Sequence, residues 1–343
     1  MHASVQGLLI CFCFLLATSL QNPTFAAKLT DYKMSNTRLP NFVWFIFAVL
    51  CFVWGTTYFG IKIAVQYFPP FWFSAFRHFT AGVIFLTLYC AQSRELPSKT
   101  DVLRGAVAGF FMICGGNALL SWAEIYISSG LAGILSSVAP LYITLMSIAV
   151  FKGFRITWLI VLGLIISIGG IYLLSKPEDG LTPSPEFWRG FWLTLLANFF
   201  WGMGSIYMKK YPVEQHVYLK TAMQMIPASI INIIISCFFE TPPNLATIPT
   251  NAWWAVAYLI GIGSLVGYTS FVYLIKYMAP ARLSIHIYVN TVVAVLVGWL
   301  LGGDHLTGMA WVALVVILAG VILVNNEYAK MNRAAQLAAA ESI

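Results

Sequence analysis

Three ionisable side chains, Lys62, Arg77 and Glu124, stand inside stretches of this 343-residue chain that are otherwise mostly apolar. A charge at the centre of an apolar helix costs about 2.5–3.5 kcal/mol on membrane-insertion scales, so such a residue is expected to hold a partner or serve a function. Arg77 follows Pro70 by seven residues, about 10 Å along a helix. At that depth an arginine requires a carboxylate, a polar cavity or an anionic solute, and Glu124 is the candidate nearest in depth. Two readings stay open for this pair: a structural ion pair, or groups that contact a substrate or carry a proton. Lys62 can snorkel toward headgroups or join them, whereas Lys209, at a helix end, reads as snorkelling. His78 points about 100° away from Arg77 on the helix and faces a neighbour. His286 is a packing histidine or one titrating near neutral pH. Asn117 and Asn290 can hydrogen-bond a solute or staple two helices.

The elements that must position these groups are membrane helices. Of the residues, 60% are hydrophobic and 9% charged, against about 25% charged in a soluble domain. Too few charges remain to keep such a chain dissolved in water. Ten apolar runs follow one another, at about 41–67, 71–91, 103–124, 130–151, 157–175, 188–209, 216–238, 252–276, 281–301 and 308–325. They are continuously apolar over helical spans and lack the alternation of barrel strands. The expected fold is therefore an all-α membrane protein of ten transmembrane helices.

Short loops set the orientation. With the segment before the first run inside, the inside loops and tails carry Lys28, Lys33, Arg38, Arg94, Lys99, Arg104, Lys152, Arg155, Lys209, Lys210, Lys276, Arg282, Lys330 and Arg333, and the outside loops only Lys176 and Arg189. That asymmetry places both termini in the cytoplasm and explains the net charge of +7 without nucleic acid. Residues 1–33 contain a signal-like apolar stretch without the usual basic flank, and a cleaved signal would invert every loop. They are expected to be dispensable or mis-assigned, with Met34 the first residue of the working chain. Residues 326–343 are expected to form a cytoplasmic tail.

The chain repeats itself. "FVWGTTYFGIK" (52–62) returns as "FFWGMGSIYMK" (199–209), an offset of 147, with Arg77 and Gln224 at matching places further on. At an offset of 150, Gly153, Thr157 and Gly170 match Gly303, Thr307 and Gly320. Each half, 41–175 and 188–325, holds five runs, and an odd number forces the second half to enter the membrane from the opposite face. Inverted repeats are the architecture with which secondary transporters alternate access to a midplane site, although channels use them too. Trp54 and Trp201 fall near mid-helix at repeat-equivalent places, each followed by a glycine that lets helices approach or flex. Together with Tyr58 and Tyr268 they offer broad aromatic faces.

From "WGTTYFGIK" (54–62), "PPFWFSAFRHFTAG" (69–82), "WAEIYISSGLAGILSSVAPLYITL" (122–145), "NTVVAVLVGWLLGGDHLT" (290–307) and "LAGVILV" (318–324), the chain resembles the drug/metabolite transporter superfamily, specifically its EamA-type ten-helix members, over Phe47 to Val324. The segment from Ala123 and Glu124 to Gly133 is similar to the bacterial inner-membrane exporters rather than the nucleotide-sugar branch. The sequence departs from the family at Thr291, where members usually have proline. The acidic-basic pair of "GERLT" is Phe154-Arg155 in the first half and Asp304-His305 in the second. The resemblance implies export of amino acids, other small metabolites or amphipathic compounds across the inner membrane.

The candidate substrate-binding residues are Trp54, Tyr58, Arg77, Asn117, Glu124, Trp201, Tyr268 and Asn290. Aromatic faces beside Arg77 and Lys62 suit a small solute with an apolar body and an anionic group. The expected partners are that solute and the lipid bilayer, with protons as a further candidate, no nucleic acid, and a monomeric or homodimeric assembly. A passive channel is the alternative. An intramembrane enzyme is disfavoured, since HExxH, P-loop and nucleophile-elbow motifs are all missing. The six cysteines lie in apolar runs without CxxC spacing, so no metal site, cofactor or disulfide framework is expected.

Overall fold

The computed structural model describes residues 41–93, 96–151, 156–174, 184–278, 280–304 and 308–341. The expectations for residues 1–33, and for the loops around Phe154 and Lys176, lie outside the described residues.

Among the described residues the secondary structure is helical throughout. The first half contributes α1 (Asn41–Ala64), α2 (Pro70–Gln92), α3 (Lys99–Tyr126), α4 (Ser129–Val150) and α5 (Trp158–Leu174). The second contributes α6 (Pro185–Lys210), α7 (Val217–Phe239), α8 (Thr250–Tyr277), α9 (His286–Gly302) and α10 (Gly308–Glu341). Seven of these (α1, α2, α3, α4, α7, α8 and α10) are long and apolar enough to cross a membrane, while Trp158–Leu173 and His286–Gly302 are shorter apolar helices. The starts are set by local chemistry. Pro70 and Pro185 open α2 and α6, where a missing N–H costs nothing, and Ser98, Ser128 and Ser184 cap the first turns that follow them. In α4 the turn at Ser137 and Val138 separates two helical pieces, just ahead of Pro140, which has no N–H to give the ladder.

Two features escape a reading of apolar runs. The helix α10 continues through residues 326–341, expected only as a tail, because the alanine-rich end favours helix. In addition, α3 and α8 each contain a π-helical stretch, Phe110–Ala118 and Leu259–Tyr268, at corresponding places in the two halves. Such widened turns displace backbone from its usual ladder and often mark functional sites.

The helices pack across the halves. α2 lies along α7 and α5 along α10, while α1 contacts α8 and α9, and α6 contacts α3 and α4. Six buried hydroxyls satisfy themselves on their own helix: Ser121, Thr194, Ser205, Thr221, Ser229 and Ser270 each donate to the carbonyl four residues earlier. In an apolar surround an unpaired hydroxyl is costly, so this bonding lets small polar residues line helix contacts. Of the cysteines, Cys51 and Cys114 are buried and Cys90 and Cys237 exposed, all four as free thiols.

Candidate functional site

The two tryptophans of the repeated phrase meet. Trp54 on α1 and Trp201 on α6 lie 5.1 Å apart, ring centroid to centroid, nearly edge to face. Each rests on the π stretch of the opposite half. The Trp54 Nε1 donates to the Gly263 carbonyl at 3.2 Å, and a Cβ at Gly267 would stand 2.4 Å from that nitrogen. Trp201 lies over Gly116, where a Cβ would come within 3.1 Å of the ring. Phe271 and His286 complete the aromatic cluster, each 5.3 Å from Trp54.

Around this cluster is a cavity of about 80 Å³, with room for roughly half a dozen water molecules. Seven of the eight candidate residues line it: Trp54, Tyr58, Arg77, Asn117, Trp201, Tyr268 and Asn290. Sequence reading missed Asn198, Thr57 and Ser136, which also line it. Asn198 donates to Ser136 Oγ at 3.3 Å and to the Thr194 carbonyl at 2.7 Å. A polar residue three before Trp201 on a buried helix was the available signal.

The eighth residue, Glu124, does not line the cavity and does not pair with Arg77. Among the described residues no ion pair joins them. Arg77 is buried, and its Nε donates to Ser264 Oγ in the π stretch of α8 at 2.9 Å. The ion pair, one of the two readings left open, is not formed; the widened turns of α8 bring a hydroxyl to the guanidinium instead. Glu124 is fully buried, and neither carboxyl oxygen has a hydrogen-bond partner.

Lys62 does not snorkel. Its Nζ donates to the carbonyls of Glu124 (2.6 Å) and Ile127 (2.9 Å) at the end of α3. Lys209 does the same in the other half, donating to the Ile275 carbonyl of α8 at 3.1 Å. A helix end leaves carbonyls without partners and carries partial negative charge. The lysine that closes each repeated phrase therefore caps the third helix of its own half.

Asn290 acts as a staple. With its amide group oriented by its partners, it donates to the His286 carbonyl at 3.0 Å and the Cys51 carbonyl at 2.5 Å, tying α9 to α1. Asn117 accepts Ser121 on its backbone and faces the cavity. His286 is buried with Nδ1 donating to the Leu283 carbonyl at 2.7 Å. His78 bonds the Ser74 carbonyl at 2.8 Å. Tyr268 donates to Gln224 Oε1 at 2.8 Å. Gln224, the repeat counterpart of Arg77, lines a second cavity of about 290 Å³ with Arg104, Lys209, Lys220 and Lys276. The Tyr268–Gln224 bond thus stands between the two cavities.

At the end of the bundle where α1 gives way to α2, two carboxylates of the second half hold helix starts of the first. Glu240 accepts from the N–H groups of Phe71 and Trp72 at 2.9 Å each. Asp304 accepts from Ser129 Oγ (3.0 Å) and the Gly130 N–H (2.9 Å). Anions at helix N-termini complement both the free donors and the dipole.

Helices throughout the described residues, with polar and aromatic groups converging on a cavity between packed apolar segments, fit a membrane transport protein. The chain belongs to the EamA-like transporter family, which it matches over residues 42–176 and 188–326. It is 32% identical to the "Uncharacterized inner membrane transporter YedA" of Escherichia coli K12 over 279 residues, 80% of this chain and 88% of that protein. It is 25% identical to protein PecM of Dickeya dadantii, over 82% of this chain and 91% of the relative. A probable terminal-alkyne amino-acid exporter of Streptantibioticus cattleyicolor is 22% identical over 84% of this chain and 95% of its own length. A crystal structure at 18% identity shares the fold with a TM-score of 0.60, covering 85% of this chain and 99% of that one. The chain is a multi-pass inner-membrane transporter.

Proposed function

We propose that the protein is a secondary transporter that exports small metabolites such as amino acids or amphipathic compounds by alternating access. Its ten helices span the membrane as two inverted five-helix repeats with both termini in the cytoplasm. The observation that carries this reading is the reciprocal seating of Trp54 and Trp201, each on the π stretch of the opposite half. Equivalent elements meeting across the middle of two like halves are what a site opened by rocking requires. Trp54, Tyr58, Trp201 and Tyr268 supply apolar faces, Arg77 a cation for an anionic group, and Asn117 and Asn290 the polar edges. In this reading the Glu240 and Asp304 contacts close the outer end, and the Tyr268–Gln224 bond separates the site from the cationic cavity at the inner end. The direction of export draws on the name of the S. cattleyicolor relative.

The test is reconstitution of the full chain into liposomes with counterflow of radiolabelled amino acids. Labelled solute should accumulate transiently in vesicles preloaded with unlabelled solute, and Trp54→Ala should abolish it. Flux that never saturates and shows no counterflow would instead identify a channel. For topology, cysteines placed at Gly180 should react from outside and at residues 96–98 from inside. Labelling of the C-terminal tail from outside would overturn the orientation.

A further inference from the structure

We propose that Glu124 is the proton-binding group of this carrier and that solute movement is linked to proton movement through it. The inference rests on the transport reading above and adds the ion that travels with the solute. Glu124 is 0% exposed, and both carboxyl oxygens lack a hydrogen-bond partner. An ionised carboxylate left without water or donors is among the costliest groups to bury. The conformer described here therefore holds the carboxyl with its proton. The placement of Lys62 agrees: its Nζ is spent on the Glu124 and Ile127 carbonyls rather than on the carboxyl beside it, as expected next to a neutral group.

The charged and titratable groups around Glu124 come from several elements. They are Lys62 and the Tyr58 phenol from α1, Arg77 from α2, and Asp304 from the chain after α9. α6 meets this stretch with Gly190, against the Ala123 carbonyl. α4 meets it with Ser129, itself bonded to Asp304. Leu120, one turn earlier on the same face of α3, lines the central cavity. An opening at this turn brings the carboxyl to cavity water. The O–H bond then breaks, the proton passes to water, and the carboxylate left behind has as its counter-ion Lys62 of α1, whose Nζ is bonded to carbonyls of the same turn of α3. Reclosing restores the buried neutral form by taking a proton from the other side. No other reactant is needed.

The experiment uses the full chain in liposomes loaded with a pH-sensitive dye and an equimolar mixture of the proteinogenic amino acids, with counterflow read against a labelled mixture outside and proton movement read during net efflux into solute-free buffer. In the wild type, counterflow is expected together with solute-dependent proton movement. Glu124→Gln, a permanently neutral carboxamide, should unfold at the wild-type temperature or above and retain exchange. Its solute-dependent proton movement should fall about tenfold or more. Glu186→Gln, at an exposed first turn of α6, should match the wild type. Lys62→Gln, which keeps donors for the carbonyls but removes the counter-ion, should lower proton movement in the same direction. An unfolding temperature several degrees below wild type for Glu124→Gln would show an ionised, paired carboxylate and overturn the assignment. Wild-type counterflow without proton movement, or proton movement unchanged in Glu124→Gln and Lys62→Gln, would overturn it while leaving the transport reading intact. No wild-type counterflow at all would overturn the transport reading, and this inference with it.

Discussion

Gly55 and Gly202 occupy the same place in the two copies of the repeated phrase, yet alanine at each should have effects of opposite sign. A Cβ on Gly55 would lie 2.4 Å from Val293 Cβ, 2.7 Å from Val293 Cγ1 and 2.9 Å from the Asn290 carbonyl. Carbon atoms in contact prefer about 3.5–4.0 Å, so α1 and α9 must part by about 1 Å, and the obstacle is backbone and a β-branched stem rather than a flexible tip. Overpacking of this kind costs about 1–3 kcal/mol. At Gly202 the nearest atoms to such a Cβ are Met146 Sδ at 3.4 Å and Ile143 Cγ1 at 3.5 Å, which is ordinary contact. There the helix propensity of alanine, better than glycine by about 0.8–1.0 kcal/mol, has nothing to oppose it. Thermal unfolding of the detergent-solubilised protein, followed by tryptophan fluorescence, should drop by about 3–10 °C for Gly55→Ala and hold or rise for Gly202→Ala. Counterflow should fall with the first, since Asn290 and Trp54 flank the displaced contact, and persist with the second. Equal losses in the two variants, or a larger loss at Gly202, would refute the packing argument.

Tyr268→Phe removes the hydroxyl that donates to Gln224 and should lower stability by about 1 kcal/mol, read as a small drop in unfolding temperature; no drop would mean the bond is not maintained in lipid. Lys62→Met and Lys209→Met each strip a cation from carbonyls at a helix end and should each cost about 1 kcal/mol, with glutamine recovering part of the loss by its amide N–H; equal instability of methionine and glutamine variants would count against capping. Asp304→Asn and Glu240→Gln should raise, several-fold in the double variant, the labelling of a Ser136→Cys reporter in the central cavity by an impermeant thiol reagent added outside. Unchanged labelling would show that these contacts do not close that end.

Much of the fold was legible because its information is local. Apolar runs mark where helices lie, and the starts at Pro70, Pro185 and the capping serines follow from chemistry within one turn. The pairing of Trp54 with Trp201 was half legible: the repeat marked them as equivalent, but equivalence does not say that two residues touch. The roles of Lys62, Arg77 and Glu124 were not readable from depth alone. Depth suggested Arg77 with Glu124, but the π stretch of α8 offered Ser264 to the guanidinium. A one-residue change in helical register leaves no mark in composition. Lys209 was read as reaching for headgroups, and Lys62 as either doing so or joining Arg77 and Glu124, because the helix end each one caps, two elements further along the chain, is a tertiary fact.

The carboxylate contacts at one end of the bundle break the equivalence of the two halves. Counterparts in the first half fall at Ser93 for Glu240, at the offset of 147, and at Phe154 for Asp304, at the offset of 150, and neither carries a charge. A carrier with matched fastenings would divide its time evenly between its two open forms. At about 1.5 kcal/mol for each contact to a charged group, the two together tilt that division by about 150-fold toward the form in which they are made. In the proposed alternating-access cycle the unloaded carrier then waits almost always with its site turned the same way. The saturating concentration measured from that side is close to the intrinsic one, and from the opposite side it is raised by the whole of that factor.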